Sequence, residues 1–387
     1  MKHFFVLFLG ILFFSLKPMA VLAKAAYAVM SPDSTTLTFY YDTQKSSRKG
    51  TVYALNKGSE RPAWSIFNEY SYDTNPNYKI VVFDESFKNA CPTSCYEWFA
   101  GFTKLTRIEG IENLNTSNVK NMEGMFRCCE ILTSLDVSGF NTSNVTNMSD
   151  MFRMCRKLNS LDVHGFNTSK VTTMKSMFNY CDNLTSLDLS NFNTSNVTNM
   201  NYMFCHCFSL LSLNVGGFNT SNVTTMEGMF QSCIKLTNLD VRSFDTSNVE
   251  NMQYMFYDCR CLTSLDVSGF NTSKVIYMNN MFTYCINLTS LDVHSFNTSN
   301  ACSLAKMFFG CRSLKELDVC SFNTSNVQDV ENMFTDCHKL REIYVSKDWK
   351  VESIDGYKTI LGDGKPIREK EIFVWEGEIT NARFVRR

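Results

Sequence analysis

The chain has 387 residues, with 37 Lys plus Arg against 38 Asp plus Glu, a formal net charge of -1 and only 19% charged residues. That balance excludes a nucleic-acid binder working through a strongly basic field, and 44% hydrophobic with 13% aromatic content excludes wholesale disorder. Six prolines and 17 glycines exclude collagen-like and proline-rich classes, leaving 32 Phe, 20 Met and 16 Cys as the unusual features.

Residues 1–23 open with basic Lys2 and His3, run apolar from Phe4 to Leu16 and reach Val21-Leu22-Ala23, where small residues suit signal-peptidase cleavage. The apolar run falls short of the roughly 20 residues of a bilayer-spanning helix, and Lys17 and Pro18 interrupt it. The expectation is a secretory leader, a secreted or cell-surface product and no stable membrane insertion after cleavage. Residues 24–97 form a β-rich N-terminal cap. Strands are expected at Thr36–Tyr41, Gly50–Ala54 and Lys79–Phe83, with a hairpin around the polar stretch Thr43–Lys49.

From residue 98 to 345 the chain is periodic. Met-Phe recurs at 125, 151, 177, 203, 229, 255, 281, 307 and 333, nine times at an unbroken spacing of 26. A fixed period of this size predicts a solenoid, because one unit cannot bury its apolar face without stacking on its neighbours. One degenerate coil, containing Trp98-Phe99, Leu105, Ile108 and Leu114, precedes about nine regular ones. The unit reads F-N-T-S-N-V-x-x-M-x-x-M-F-x-x-C-x-x-L-x-x-L-D-V-x-x from Phe140. Leu161 and Val163 flank Asp162 with period two, the pattern of a short strand with the carboxylate outward. Met148, Met151, Phe152 and Cys155 follow i, i+3, i+4, i+7, which predicts a short helix or helical turn. The expected class is therefore an α/β repeat solenoid, with a parallel sheet of L-D-V strands on one flank, short helical turns on the other and β-rich caps. Ala301 and Leu304 replace Val and Met, and that coil is expected to be looser. Residues 346–387 form a C-terminal cap, with Trp349 near the place of the next Phe and a strand at Glu371–Trp375.

The L-x-x-L-x-V stretch (Leu158, Leu161, Val163), joined to M-F-x-x-C and F-N-T-S-N-V, resembles BspA-like leucine-rich-repeat bacterial surface proteins. The resemblance covers about residues 98 to 345. It implies a surface solenoid that attaches to host extracellular-matrix or plasma proteins, or to other cells, and no catalytic residues to carry over.

Nine cysteines, from Cys129 to Cys337, share one repeat position and read as buried thiols rather than disulfides or zinc ligands. Cys91 and Cys95 could bridge within the cap. His164, His294, His206 and His338 read as isolated, solvated side chains. No catalytic motif and no cofactor or metal set is present in the pattern, so the chain is expected not to be an enzyme. The rival readings are a structural surface spacer and a hydrolase in a flanking region.

Binding information in a repeat array resides where its units differ. The candidates are Asp188, Asp240, Arg242 and Asp266 on the strand flank, where serines two residues before each Asp, such as Ser134, are expected to donate to the carboxylates. Tyr254, Tyr257, Tyr277 and Tyr284 are candidates on the turn flank, because tyrosine combines apolar area with a hydrogen-bonding tip.

Overall fold

A computed structural model describes residues 23–65, 77–346 and 349, and four short strands beyond them. The leader expected at 1–23 lies, apart from Ala23, outside the described residues.

The cap is a five-stranded sheet of β1 (Ala25–Met30), β2 (Thr36–Asp42), β3 (Thr51–Ala54), β4 (Ile80–Phe83) and β5 (Arg107–Glu109), in the order β3-β1-β2-β4-β5. The expected hairpin between β2 and β3 is therefore wrong. β1 lies between them, antiparallel to both, and makes its own hairpin with β2. Its sequence, Ala25-Ala-Tyr-Ala-Val-Met30, is alanine-rich and adjoins the leader, so β-propensity gave no signal. Phe39 stacks on Phe83 at 4.7 Å and on Trp98 at 5.1 Å, and the Trp64 indole donates to the Trp98 carbonyl at 2.8 Å. Phe99 then meets Phe126 at 5.5 Å, so the cap core continues into the repeat core without a break.

In the array the M-x-x-M-F flank is not helical. Met148, Asp150, Phe152 and Met154 donate their backbone N–H groups to Thr173, Lys175, Met177 and Asn179 of the next coil at 2.7–3.2 Å. The intervening amides close turns on their own coil, from Met151 to Met148, Arg153 to Asp150 and Cys155 to Phe152. Asp150 (φ 55°) and Met154 (φ 60°) take the left-handed conformation that a type II turn needs at its third residue. An α-helix would bond every amide to the carbonyl four residues back. A spacing of i, i+3, i+4, i+7 cannot tell a helix from a run of three-residue turn closures. Isolated parallel bridges run along this flank from Ser94 to Asp329, so the turn flank, not the strand flank, carries the continuous ladder.

The F-N-T corner is joined differently. The buried Thr142 hydroxyl accepts from the Asn167 N–H (2.7 Å) and donates to the Asn167 carbonyl (3.0 Å), and Thr168 does the same to Asn193 (2.8 and 2.9 Å). A hydroxyl thus stands between backbones that touch directly on the turn flank, and it spaces them apart. The inner Phe column, Phe126 through Phe334, repeats every 5.7–5.8 Å with rings within 9° of parallel. Near the corner, Phe270, Phe296 and Phe322 are 6.4 Å apart. Directly bonded parallel backbones are about 4.8 Å apart. Spacing therefore grows from the turn flank toward the F-N-T corner, and the array bends with its turn flank inward.

The L-D-V flank keeps its alternation, with Leu161 and Val163 buried and Asp162 exposed, but it is mostly not a sheet. Among the described residues of the array, pairing on this flank joins β6 (Ser186–Leu187) to β7 (Ser212–Leu213), β7 to the next coil through one bridge from Ser212 to Asn238, and β8 (Glu316–Asp318) to β9 (Glu342–Val345). Ala301 and Leu304 occupy the buried Val and Met places with no exposure.

Beyond the array, β10 (Ser353–Ile354) pairs with β11 (Tyr357–Lys358). β12 (Ile372–Val374) and β13 (Arg383–Arg386) extend the last sheet in the order β12-β13-β9-β8. The strand expected at Glu371–Trp375 is thus found in its central three residues, and its two ends lie outside the described residues. Trp349 stacks on Phe334 at 6.4 Å and closes the Phe column.

If the hydroxyl bridge holds the corner, Thr168→Val leaves the part-buried N–H and carbonyl of Asn193 without that partner and should cost about 2–3 kcal/mol. Thr168→Ser keeps the bridge and should cost about 1 kcal/mol, the loss of one buried methyl. Urea unfolding of both variants measures the difference, and equal losses would show that the hydroxyl is dispensable.

Candidate functional site

On the strand flank, each exposed Asp side chain accepts the backbone N–H two residues on. Asp188 takes Ser190 (2.9 Å), Asp266 takes Ser268 (3.1 Å) and Asp292 takes His294 (3.0 Å). The serine two residues after the Asp also donates its hydroxyl at Asp136 and Asp266 (2.6 Å each). The expected donors, the serines two residues before, are displaced because the Asp side chain folds forward over its own turn. Arg242 adds a fork onto Asp240 at 2.9 and 2.8 Å, which holds that carboxyl at about 2. Asp240, Arg242 and Asp266 line one shallow groove with Asn238, Ser264 and Asp292. Asp188 lies outside it, two coils away from Asp240.

On the turn flank the structure brings three of the four candidate tyrosines together. Tyr254 meets Tyr257 at 5.7 Å, Tyr257 meets Tyr284 at 6.1 Å and Tyr284 meets Phe309 at 5.2 Å, each edge to face. Tyr277 stands apart from this row of rings, 46% exposed beside exposed Ile276. Phe309 was not among the sequence candidates because its neighbour Phe308 carries the repeat position. Tyr254 and Tyr284 sit at the left-handed turn positions (φ 60° and 57°). A non-glycine residue there costs on the order of 1–3 kcal/mol, and the same two columns hold Gly228 and Gly310 elsewhere. Tyr202 lies over Gly228 and Tyr284 over Gly310, where an added Cβ would come within 2.5 and 2.6 Å of the ring.

His206, expected to be solvated and isolated, instead lies flat on Tyr180 at 4.1 Å and 4°, with its Nδ1 2.8 Å from the Cys205 sulfur. Burial lowers its pKa. Arg156 covers the Tyr180 ring at 4.7 Å and pairs with Asp182 at 2.9 Å. The only sequence signal was that Tyr180 and His206 are 26 residues apart. His338 pairs with Asp336 at 2.7 Å.

None of the sixteen cysteines is joined in a disulfide, Cys91 and Cys95 included. The nine ladder thiols point at the Phe carbonyl of the preceding coil, from Cys129 to Phe99 (3.4 Å) through to Cys337 to Phe308 (3.0 Å). Burial pushes thiols such as Cys233 and Cys259 well above the usual range, which keeps them protonated donors. Among the described residues no cluster of three or more His, Cys, Asp or Glu side chains could hold a metal ion, and no helix is long and apolar enough to cross a membrane.

A family model described as a Mycoplasma protein of unknown function, DUF285, matches residues 93–208, 180–265 and 260–375. No curated protein matches the chain. Among solved structures, a leucine rich cell surface protein from Faecalibacterium prausnitzii A2-165 is 16% identical, covers 84% of this chain and 88% of its own, and superposes with a TM-score of 0.36. A leucine-rich repeat protein from Eubacterium ventriosum ATCC 27560, also 16% identical, covers 70% and 89% with a TM-score of 0.26.

The thiol geometry sets a direct expectation. In the native protein a small alkylating reagent should reach Cys91 and, more slowly, the partly exposed Cys261, Cys302 and Cys320, while all sixteen react after denaturation. Ready native labelling of the ladder, or disulfides among its members, would contradict the buried, reduced column.

Proposed function

The chain belongs to the DUF285 family, whose function is unknown, and on the geometry above we propose that it is an exported, non-catalytic surface scaffold whose repeat array binds proteins. The observation that carries this reading is where the coils differ. Inward positions repeat Val, Met, Phe, Cys and Leu almost unchanged, while one column of the turn flank, buried at Arg127, Asn179, Cys205 and Thr283 and half-buried at Arg153, Gln231, Tyr257 and Phe309, changes side chain from coil to coil. Packing restricts the first set and leaves the partly exposed members of the second, Tyr257 and Phe309 among them, able to carry recognition. Export rests on the leader-like residues 1–23. The partner class, host matrix or plasma proteins or neighbouring cells, rests on the BspA-like character of the repeat.

Of the two flanks, the aromatic row is the stronger candidate. Its rings are ordered, half-buried and chemically unlike the rest of the array, and aromatic residues are enriched where interfaces gain most energy. The Asp groove supports a second reading, a basic partner drawn to carboxylates, which fits an affinity that weakens as salt rises. At Asp240 this reading is blunted by the fork from Arg242.

The test is binding of the full chain to purified matrix and plasma proteins, before and after two paired substitutions. Tyr254→Ala with Tyr257→Ala should weaken binding tenfold or more, and Asp240→Asn with Asp266→Asn should leave it within about twofold. The opposite pattern, with salt dependence lost in the Asp pair, would move the site to the strand flank. A folded chain that binds none of these proteins would leave the spacer reading in its place.

A further inference from the structure

The stack of His206 on Tyr180 suits an uncharged imidazole. Burial pushes the Cys205 thiol far above its ordinary value, so the sulfur keeps its proton and is the donor in the 2.8 Å contact with His206 Nδ1. Nδ1 is therefore the accepting nitrogen, and the ring proton sits on Nε2. The imidazole lies flat on Tyr180 at 4.1 Å, and Phe208 stands edge to face with it at 5.3 Å. Arg156, from the coil before, already covers the Tyr180 ring at 4.7 Å. Protonation puts a hydrogen on Nδ1 against the hydrogen of the thiol, and a second cation on a ring that already carries one.

The charges around the ring leave one acceptor open. Burial is the largest cause that holds His206 below its ordinary pKa; Asp182 pulls it back up, Arg156 lowers it and Asp258 raises it. Asp258 is engaged by a fork from Arg260 at 2.6 and 3.3 Å, and Arg153, which faces Tyr180 and Cys205, is engaged by Asp150 at 3.2 Å. Asp182 is engaged on one side alone. Its Oδ2 takes Arg156 at 2.9 Å, while its Oδ1 is buried with no hydrogen-bond partner. A buried carboxylate oxygen left unpaired is costly, and it is the acceptor that a charged imidazole lacks in the stack. The backbone is fixed, because the His206 N–H is bonded to the Gln231 carbonyl of the next coil at 2.7 Å and the Tyr180 N–H to the Cys205 carbonyl at 2.8 Å, so the movable part is the ring.

From this arrangement we infer that His206 is an acid-operated switch on the turn flank: on taking up a proton it leaves the Cys205 thiol and the face of Tyr180, turns to the unpartnered Oδ1 of Asp182, and uncovers the Tyr180 ring. One proton from solvent enters at Nδ1, and no covalent bond between heavy atoms changes. An unfolded chain takes up that proton at the ordinary histidine value of about 6.5, and the folded chain takes it up lower. The stability that the neutral stack contributes is therefore complete above about 6.5 and declines as pH falls from there through the folded value. The switch goes beyond the scaffold reading and does not depend on it, since it changes one face of the array whatever the array binds.

The experiment follows the ring signals of His206 and Tyr180 by NMR in the full chain, with labelled histidine and tyrosine, as pH falls from about 7.5 to about 4.5. His206 should carry its proton on Nε2 at the start, titrate below the ordinary histidine value, and shift the Tyr180 signals with the same midpoint. His206→Gln assigns the signal and should abolish the Tyr180 response. Cys205→Ala removes the donor to the neutral ring and should raise the proton affinity of His206 severalfold, while Cys205→Ser keeps a donor and should leave it within about twofold of the wild type. Asp182→Asn should lower that affinity severalfold. Titration at or above the ordinary value overturns the inference, as does a Tyr180 signal that ignores the His206 midpoint or still responds in His206→Gln. A proton affinity unmoved in both Cys205→Ala and Asp182→Asn overturns it as well. Should a variant fail to fold, the wild-type titration alone decides.

Discussion

Neighbouring coils are joined in two unlike ways, and the shape of the molecule depends on the difference. On the M-x-x-M-F flank, backbone N–H groups reach carbonyls of the next coil directly. At the F-N-T corner, a threonine hydroxyl stands between the two backbones, accepting from one Asn N–H and donating to the same residue's carbonyl. Both arrangements satisfy buried polar groups, as an array with so much buried backbone must. They do so at different spacings, however, so the coils fan apart away from the turn flank. The L-D-V flank pairs in only part of the array, and its exposed Asp side chains accept from their own turns.

The same asymmetry explains why the side chains of interest are where they are. The inward faces are filled by stacked Phe, Met, Cys, Leu and Val with little freedom to vary, because every substitution meets copies of itself above and below. The left-handed turn positions range from buried to exposed and carry varied side chains, from Gly228 to Tyr254 and the buried Asp258. Chemical variety therefore collects on the bonded, inward-bending flank, where neighbouring coils hold it in fixed register. A surface of this kind can order aromatic rings that would wander on an open loop.

The sequence made the period and the sorting of side chains plain, because inside and outside depend only on residue type and spacing. Leu161, Val163, Met148, Met151, Phe152 and Cys155 are all buried as their pattern required. The helix was a misreading of that same pattern, since turns closed between Met148 and Met151 and between Phe152 and Cys155 place side chains on one side just as a helix does. A countersign was present in Gly124, Gly228, Asn280 and Asn332, which share one repeat position and suit positive φ far better than a helix interior. The threonine of F-N-T-S was taken as local turn chemistry because its partners lie 25 residues away, and no single coil reveals them. Three of four tyrosines were found to belong together, yet their contact with Phe309 and the Tyr180–His206 stack depend on register between coils that composition does not show.

The account stands on continuous direct backbone bonding along one flank and only scattered bonding along the other, and amide hydrogen exchange reads that difference residue by residue. The amides of Met148, Asp150, Phe152 and Met154, each bonded to the next coil, should be strongly protected. Those of Leu161, Val163, Leu265 and Val267, which make no bond to a neighbouring coil's backbone, should exchange faster by orders of magnitude. Equal protection on both flanks would mean that the L-D-V segments form a closed sheet after all, and that the threonine bridge does not set the spacing of the array.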